Sequence, residues 1–371
     1  MAFNILGRAR RLALAVVVMA GAAGAAQADE IAFKYFGDSI FIPIKVNGHE
    51  TYAMIDTGAG SSIIDPDFAK EIGLGALWKQ ESSGASGGKI RVDTSLGAEI
   101  AFGDTIKETR TFDMVQLDAL TRGTPATAVI GIDVLKNYVI SFDFDRMVAS
   151  FVKPNEFKAP KDGAITMKSV GTLRAVRLKL DGKEADTVID TGASTAVHLN
   201  VFFQQRNKVM VGRKASEQII NGVDGTYRRP IASLQTVEIG GKTFTDVPAT
   251  ISPRGLGGMD AILGMEILSQ FNIVFDLGHY RMWLTPNSHF GRKFDRNTTG
   301  LLMKPGTNPP RIWLVAPNSP AAKAGFKEGE AVVEIRDAEG KPVGSQIDPG
   351  QTVTVVLDDG STRQLTTENY Y

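Results

Sequence analysis

The sequence contains no cysteine. Disulfides, zinc–thiolate centres, iron–sulfur clusters and cysteine nucleophiles are excluded together. Histidine is scarce: only His49, His198, His279 and His289 occur, none in an H-E-x-x-H pattern, so no metal or other cofactor is expected. Charge of one sign is not in excess. Lys plus Arg and Asp plus Glu each total 41, for a formal net charge of zero. The chain-wide basic field of a nucleic-acid binder is therefore missing, and no nucleic-acid partner is expected. Beyond the N-terminal segment no apolar run is long enough to span a bilayer. Glycine, by contrast, is plentiful at 39 of 371 residues, which fits many turns and short strands. The length leaves room for two or three domains.

The N-terminal segment has three parts. Arg8, Arg10 and Arg11 are positive, Leu12 to Ala26 is apolar and rich in small residues, and Ala26-Gln27-Ala28 is an A-x-A site. This is the pattern of a secretory signal peptide over residues 1–28, removed by cleavage after Ala28. The expected location is the bacterial periplasm. Secretion to the medium, or anchoring through an uncleaved leader, are the alternatives. Once the leader is removed no stable membrane span is expected.

The remainder is organised by an internal repeat. Ile55-Asp56-Thr57-Gly58-Ala59 recurs 134 residues later as Ile189-Asp190-Thr191-Gly192-Ala193. Val129-Ile130-Gly131 is echoed at nearly the same spacing by Ile262-Leu263-Gly264. Each Asp is preceded by an alternating strand pair with an Asn47-Gly48 or Asp181-Gly182 hairpin turn. Each later glycine opens a short helical stretch followed by strand-like text. The reading is two homologous β-rich lobes, residues 29–155 and 156–290, joined through KPNEFKAPKDG, with a tail over residues 291–371.

A packed apolar strand ending in Asp-Thr-Gly fixes a carboxylate. The glycine permits the tight turn, its N–H can point back at a carboxylate oxygen, and the threonine can bond across to the other unit. Two such units face to face bring Asp56 and Asp190 together. Like charges that close share one proton, so one carboxyl acts as general base on a water and the other as general acid on a carbonyl. Thr57, Gly58, Thr191 and Gly192 are the supporting residues.

On these motifs the chain resembles the clan of aspartic peptidases that includes pepsins and retropepsins. Ala59 and Ala193 directly after the triplets resemble the retroviral version. The resemblance covers roughly Ile31 to Pro286 and implies a mainly β, bilobal fold of tandem retropepsin-like units. It also implies endopeptidase activity on a peptide or protein substrate, in a monomer whose active site is intramolecular. The absence of a hydroxyl at Ala59 and Ala193 removes two donors that would favour the ionised form, so activity is expected to extend toward neutral pH. The alternative is a catalytically silent peptide-binding protein using the same cleft and the C-terminal tail.

Flap hairpins are expected at SSGASGGKIRV, with Gly84 and Gly87, and at IINGVDGTYRRP, with Gly222 and Tyr227. Gly84-Ala85-Ser86-Gly87-Gly88 matches G-x-S-x-G, but a strand-like KIRV follows it where a serine elbow needs a helix. The tail resembles a PDZ domain of the bacterial export-protease type, a small α+β unit. RIWLVAP reads as a strand, and Ser319-Pro320-Ala321-Ala322 opens a short helix. Gly300, Leu301 and Leu302 stand at the loop that would hold the C-terminal carboxylate of a bound peptide. The second groove helix is apparently truncated, because only GSQID separates Val343 from Pro349-Gly350.

Overall fold

The computed structural model describes residues 30–83, 88–103, 106–118, 124–222, 225–252, 256, 258–344 and 346–371. The proposed leader and the tip residues Gly84 and Gly87 of the first flap lie outside these. Among the described residues, no helix is long and apolar enough to cross a membrane.

The structure is mainly β, and its two lobes repeat one plan. In the first, the hairpin Ser39–Val46/His49–Ile55 turns at Asn47 and Gly48, both with positive φ (49° and 83°). In the second, Leu173–Leu180/Lys183–Ile189 turns at Asp181 and Gly182 (50° and 71°). Two consecutive left-handed residues match the right-handed twist of the flanking strands, which is why Asn-Gly and Asp-Gly stand there.

The returning strand of each hairpin carries the Asp, and it pairs in parallel with the landmark strand. Ile55 lies against Ile130, and Ile189 against Leu263. The landmark glycines are dictated by close approach. A Cβ on Gly131 would lie 2.7 Å from the Ser61 carbonyl oxygen, and one on Gly264 would lie 2.2 Å from that of Thr195. Each glycine then opens a one-turn helix, Ile132–Leu135 or Met265–Leu268.

Six antiparallel strands join the lobes. Their order is Glu30–Ala32, Val148–Val152, Val139–Asp143, Phe271–Asp276, Arg281–Pro286 and Ile165–Val170. The seam runs between Val139–Asp143 of the first lobe and Phe271–Asp276 of the second, with Val139 opposite Asp276 and Phe142 opposite Ile273. Phe142 and Phe275 meet edge to face across it, centroids 6.4 Å apart. One continuous apolar core extends from Ile40 through this seam to Phe275. That continuity fixes one lobe against the other, because any relative motion would open core surface.

The tail has a separate small core built on Leu301, Ile312, Phe326 and Val355. Its strands are Leu301–Lys304 with Arg311–Val315, and Val332–Arg336 with Thr352–Leu357 and Thr362–Thr366. Ser319 caps the short helix Pro320–Lys323 by accepting from the Ala322 N–H (3.2 Å). Among the described residues, no helix lies between Val343 and Thr352.

Candidate active site

Asp56 and Asp190 each sit where an apolar strand ends. Their N–H groups donate to Ile130 O and Leu263 O, both at 3.0 Å, so each landmark strand holds its Asp in place. Within each lobe the second residue on closes the turn: Gly58 N–H donates to Asp56 Oδ1, and Gly192 N–H to Asp190 Oδ1, both at 2.8 Å.

The lobes then exchange contacts. Thr57 N–H donates to Thr191 Oγ1 and Thr191 N–H to Thr57 Oγ1, both at 3.0 Å. Thr57 Oγ1 donates to Ile189 O and Thr191 Oγ1 to Ile55 O, both at 2.7 Å. These four bonds form a closed two-fold cross-brace, and both threonines are buried. Each glycine is also the seat of the other lobe's carboxyl. A Cβ on Gly58 would lie 2.3 Å from Asp190 Cγ, and a Cβ on Gly192 2.4 Å from Asp56 Cγ.

Electrostatics follow from this packing. Burial, the Asp190 charge and the hydrogen bond with Asp190 hold the Asp56 carboxyl well above the usual carboxylate range. Burial also raises Asp190, opposed by the Gly192 N–H and by the hydrogen bond with Asp56. Two such carboxyls titrate as a pair that keeps one proton. The sequence-derived set Asp56, Thr57, Gly58, Asp190, Thr191 and Gly192 is therefore assembled at one point.

The two hairpins expected to be flaps differ in support. The first, Ala76–Ser83 with Lys89–Ser95, is braced inside its own lobe: Gln80 Nε2 donates to Asp113 Oδ1 (2.5 Å), and Ser61 Oγ to Asp113 Oδ2 (2.7 Å). The second, Ala215–Gly222 with Gly225–Ile239, has Gly222 paired with Gly225 at its tip and Tyr227 half-buried just behind. The tail holds this second flap from outside. Asn318 Nδ2 donates to Ala215 O (3.0 Å), Ser216 Oγ to Pro317 O (2.5 Å), and Arg228 pairs with Glu328 at 2.6 Å. Arg296 of the connecting segment, 7% exposed, donates to Ser233 Oγ, Asp246 O and Tyr371 O.

Gly300, Leu301 and Leu302 fall at the start of the tail's first strand. The Gly300 N–H already donates to Asn297 Oδ1 (2.8 Å), and the Leu301 N–H to Thr299 Oγ1 (3.1 Å). Capture of a peptide carboxylate there requires release of both internal bonds.

Sequence reasoning missed Arg228, Arg229, His198 and Glu266. The Arg pair had a readable signal: consecutive strand residues face opposite sides. One arginine of the pair meets the tail and the other turns inward. Glu266 stands on the second one-turn helix. Its Oε2 is buried without a hydrogen-bond partner, and burial, with Asp38 and Asp295 nearby, pushes its carboxyl up to about 8.

Family models agree with this geometry lobe by lobe. Residues 42–134 match a family described as "Aspartyl protease", and residues 176–270 match one described as "gag-polyprotein putative aspartyl protease". The chain thus carries two retropepsin-like aspartyl-protease domains in tandem, which support a general aspartic protease function. No curated protein matches the chain.

Proposed function

We propose that the protein is an aspartic endopeptidase in which the Asp56/Asp190 pair activates water on a peptide held between the lobes. The observation that carries this reading is the exchanged packing of the pair: each carboxyl is bonded by its own lobe's glycine N–H and seated on the other lobe's glycine. In the first step the ionised carboxyl takes a proton from a water, whose oxygen bonds to the scissile carbonyl carbon. The protonated carboxyl gives its proton to the carbonyl oxygen, so a neutral gem-diol forms. In the second step the C–N bond breaks, one hydroxyl proton returns to a carboxyl, and the other carboxyl's proton goes to the leaving nitrogen. The pair again holds one proton. The reaction uses no covalent intermediate.

The raised carboxyls support activity that reaches toward neutral pH, because the singly protonated pair persists above the usual carboxylate range. Export to the periplasm after loss of residues 1–28 rests on the leader pattern. The α+β tail is PDZ-like in its strand text, and its contacts with the second flap support a role in holding that hairpin.

The test is cleavage of a diverse peptide library by the purified protein from pH 4 to 8, beside Asp56→Asn and Asp190→Asn. Cleavage that either substitution removes, with the far-UV circular dichroism unchanged, supports the pair. Cleavage that survives either substitution refutes it. Absence of any cleavage points to the silent peptide binder.

A further inference from the structure

Each lobe opens a short helix just after the strand that follows its Asp-Thr-Gly turn, and the two helices are built alike. Asp65 caps Pro66–Glu71 by accepting from the Asp67 N–H (3.0 Å), and Asn200 caps Val201–Asn207 by accepting from the Phe202 N–H (2.9 Å). One residue further on, Phe68 and Phe203 are both buried. Asp67 and Phe202 therefore hold the same place in the repeat, and both are exposed. The scaffold accepts a carboxylate at this place, so packing gives no reason for the phenylalanine.

The second helix and the turn that closes it show solvent a different chemistry. Among the described residues, Val211 (70%) and Phe202 (62%) are the most exposed large apolar side chains. Phe203 and Val209 are buried in the core, Met210 packs against it, and the Val211 N–H donates to Lys208 O (3.1 Å), so the turn is anchored beneath Val211. The helix is about 10 Å long, which keeps Phe202 and the turn within one small patch. Charge there is of one sign. From Thr191 to Ser216 the chain has no Asp or Glu, whereas Arg206, Lys208, Arg213 and Lys214 stand in that stretch. Carboxylates from other elements meet two of the four: Asp260 pairs with Arg206 (3.0 Å) and Asp181 with Arg213 (2.5 Å). Lys208 and Lys214, both exposed, make up the positive surplus. Lys214 borders the tail at Glu368, which is itself paired with Lys323.

We propose that this face of the second lobe, built on Phe202, Val211, Lys208 and Lys214, docks the protein on an anionic lipid bilayer. Exposed apolar side chains enter the boundary between headgroups and acyl chains, while flanking cations neutralise anionic headgroups. The protein then lies on the bilayer and does not span it. The proposal stands independently of the Asp56/Asp190 reading, since none of these residues belongs to the candidate active site.

The experiment uses the chain without the proposed leader, residues 29–371, which keeps every described element. It is co-sedimented with vesicles of phosphatidylcholine alone and of phosphatidylcholine with phosphatidylglycerol. Binding is expected with phosphatidylglycerol only, and to weaken as salt rises. Lys208→Glu is expected to lower partitioning about fivefold or more. Phe202→Asp, which places in the second lobe the residue found at the matching position of the first, is expected to lower it at least as much. Phe36→Asp, at a similarly exposed aromatic of the first lobe (55%), is expected to leave partitioning unchanged. Melting curves establish that each variant is folded. No binding to either vesicle, equal binding to both, or binding that Phe202→Asp or Lys208→Glu leaves intact overturns the proposal. Self-association in sedimentation velocity that Phe202→Asp abolishes, in a protein that binds no vesicle, assigns the face to a second copy of the chain and likewise overturns it.

Discussion

Replacing Thr57 by Val tests the cross-brace most directly, because Val keeps the shape of Thr and removes only the hydroxyl. Two bonds disappear: the one Thr57 Oγ1 accepts from Thr191 N–H and the one it donates to Ile189 O. The site is 1% exposed, so water does not replace them. A buried donor or acceptor left unsatisfied costs about 1–3 kcal/mol. The carbonyl of Ile189 keeps a second lone pair for its strand, so the sum is about 2–4 kcal/mol. Thr191→Val removes the mirror pair, and the matching distances make its cost the same. Either loss is a substantial part of the roughly 5–15 kcal/mol that holds a folded domain. Urea unfolding with linear extrapolation measures it, with Thr57→Ser, which restores the hydroxyl, expected within about 1 kcal/mol of the parent. Peptide cleavage should fall in both Val variants, since the brace sets the registry of the two carboxyls. Two Val variants within about 0.5 kcal/mol of the parent, or one costly and the other neutral, would refute the reasoning.

A methyl group at Gly58 or Gly192 overlaps the opposite carboxyl, so Gly58→Ala and Gly192→Ala should each abolish cleavage; a variant retaining more than about a tenth of the parent kcat would contradict this packing. The Glu266 carboxyl, raised from 4.5 to about 8 by burial, binds its proton more tightly in the folded chain than in the unfolded one. Its contribution is complete below about pH 4.5 and is lost as pH rises through about 8, a ceiling of about 5 kcal/mol at about 1.4 kcal/mol per unit. Glu266→Gln should therefore flatten the fall in stability between pH 5 and 8, and parallel stability curves for the two proteins would count against it. Releasing the tail from the second flap with Asn318→Gly and Glu328→Gln should speed amide exchange in Ala215–Gly222 about fivefold per kcal/mol lost. The half-exposed Arg228–Glu328 pair contributes at most about 1 kcal/mol of that. Unchanged exchange would mean the flap stands without the tail.

The sequence by itself determined the repeat, the strands and the chemical identity of the site. Apolar alternation, Asn-Gly and Asp-Gly turns and two Asp-Thr-Gly triplets are local signals. Their physics, a φ above zero or a hydroxyl next to a carboxylate, acts within a few residues. The later glycines were legible as landmarks, but their reason was not, because the carbonyls of Ser61 and Thr195 that exclude a Cβ are about seventy residues away in each lobe.

Tertiary structure alone decided what crosses between units. Thr57 meets Thr191, Gly58 seats Asp190, and the second flap is held by Asn318 and Glu328, about a hundred residues further on. It also decided environment. His198 in the sequence is a lone histidine, and Glu266 one of many carboxylates in a short helical stretch. Their altered proton affinities come from desolvation and from charges brought up by other elements, which no local pattern encodes. The two arginines at 228 and 229 show the division most plainly. Strand period places them on opposite faces, but only the folded chain puts Glu328 against one and a small cavity lined by His198, Tyr227 and Ile262 against the other.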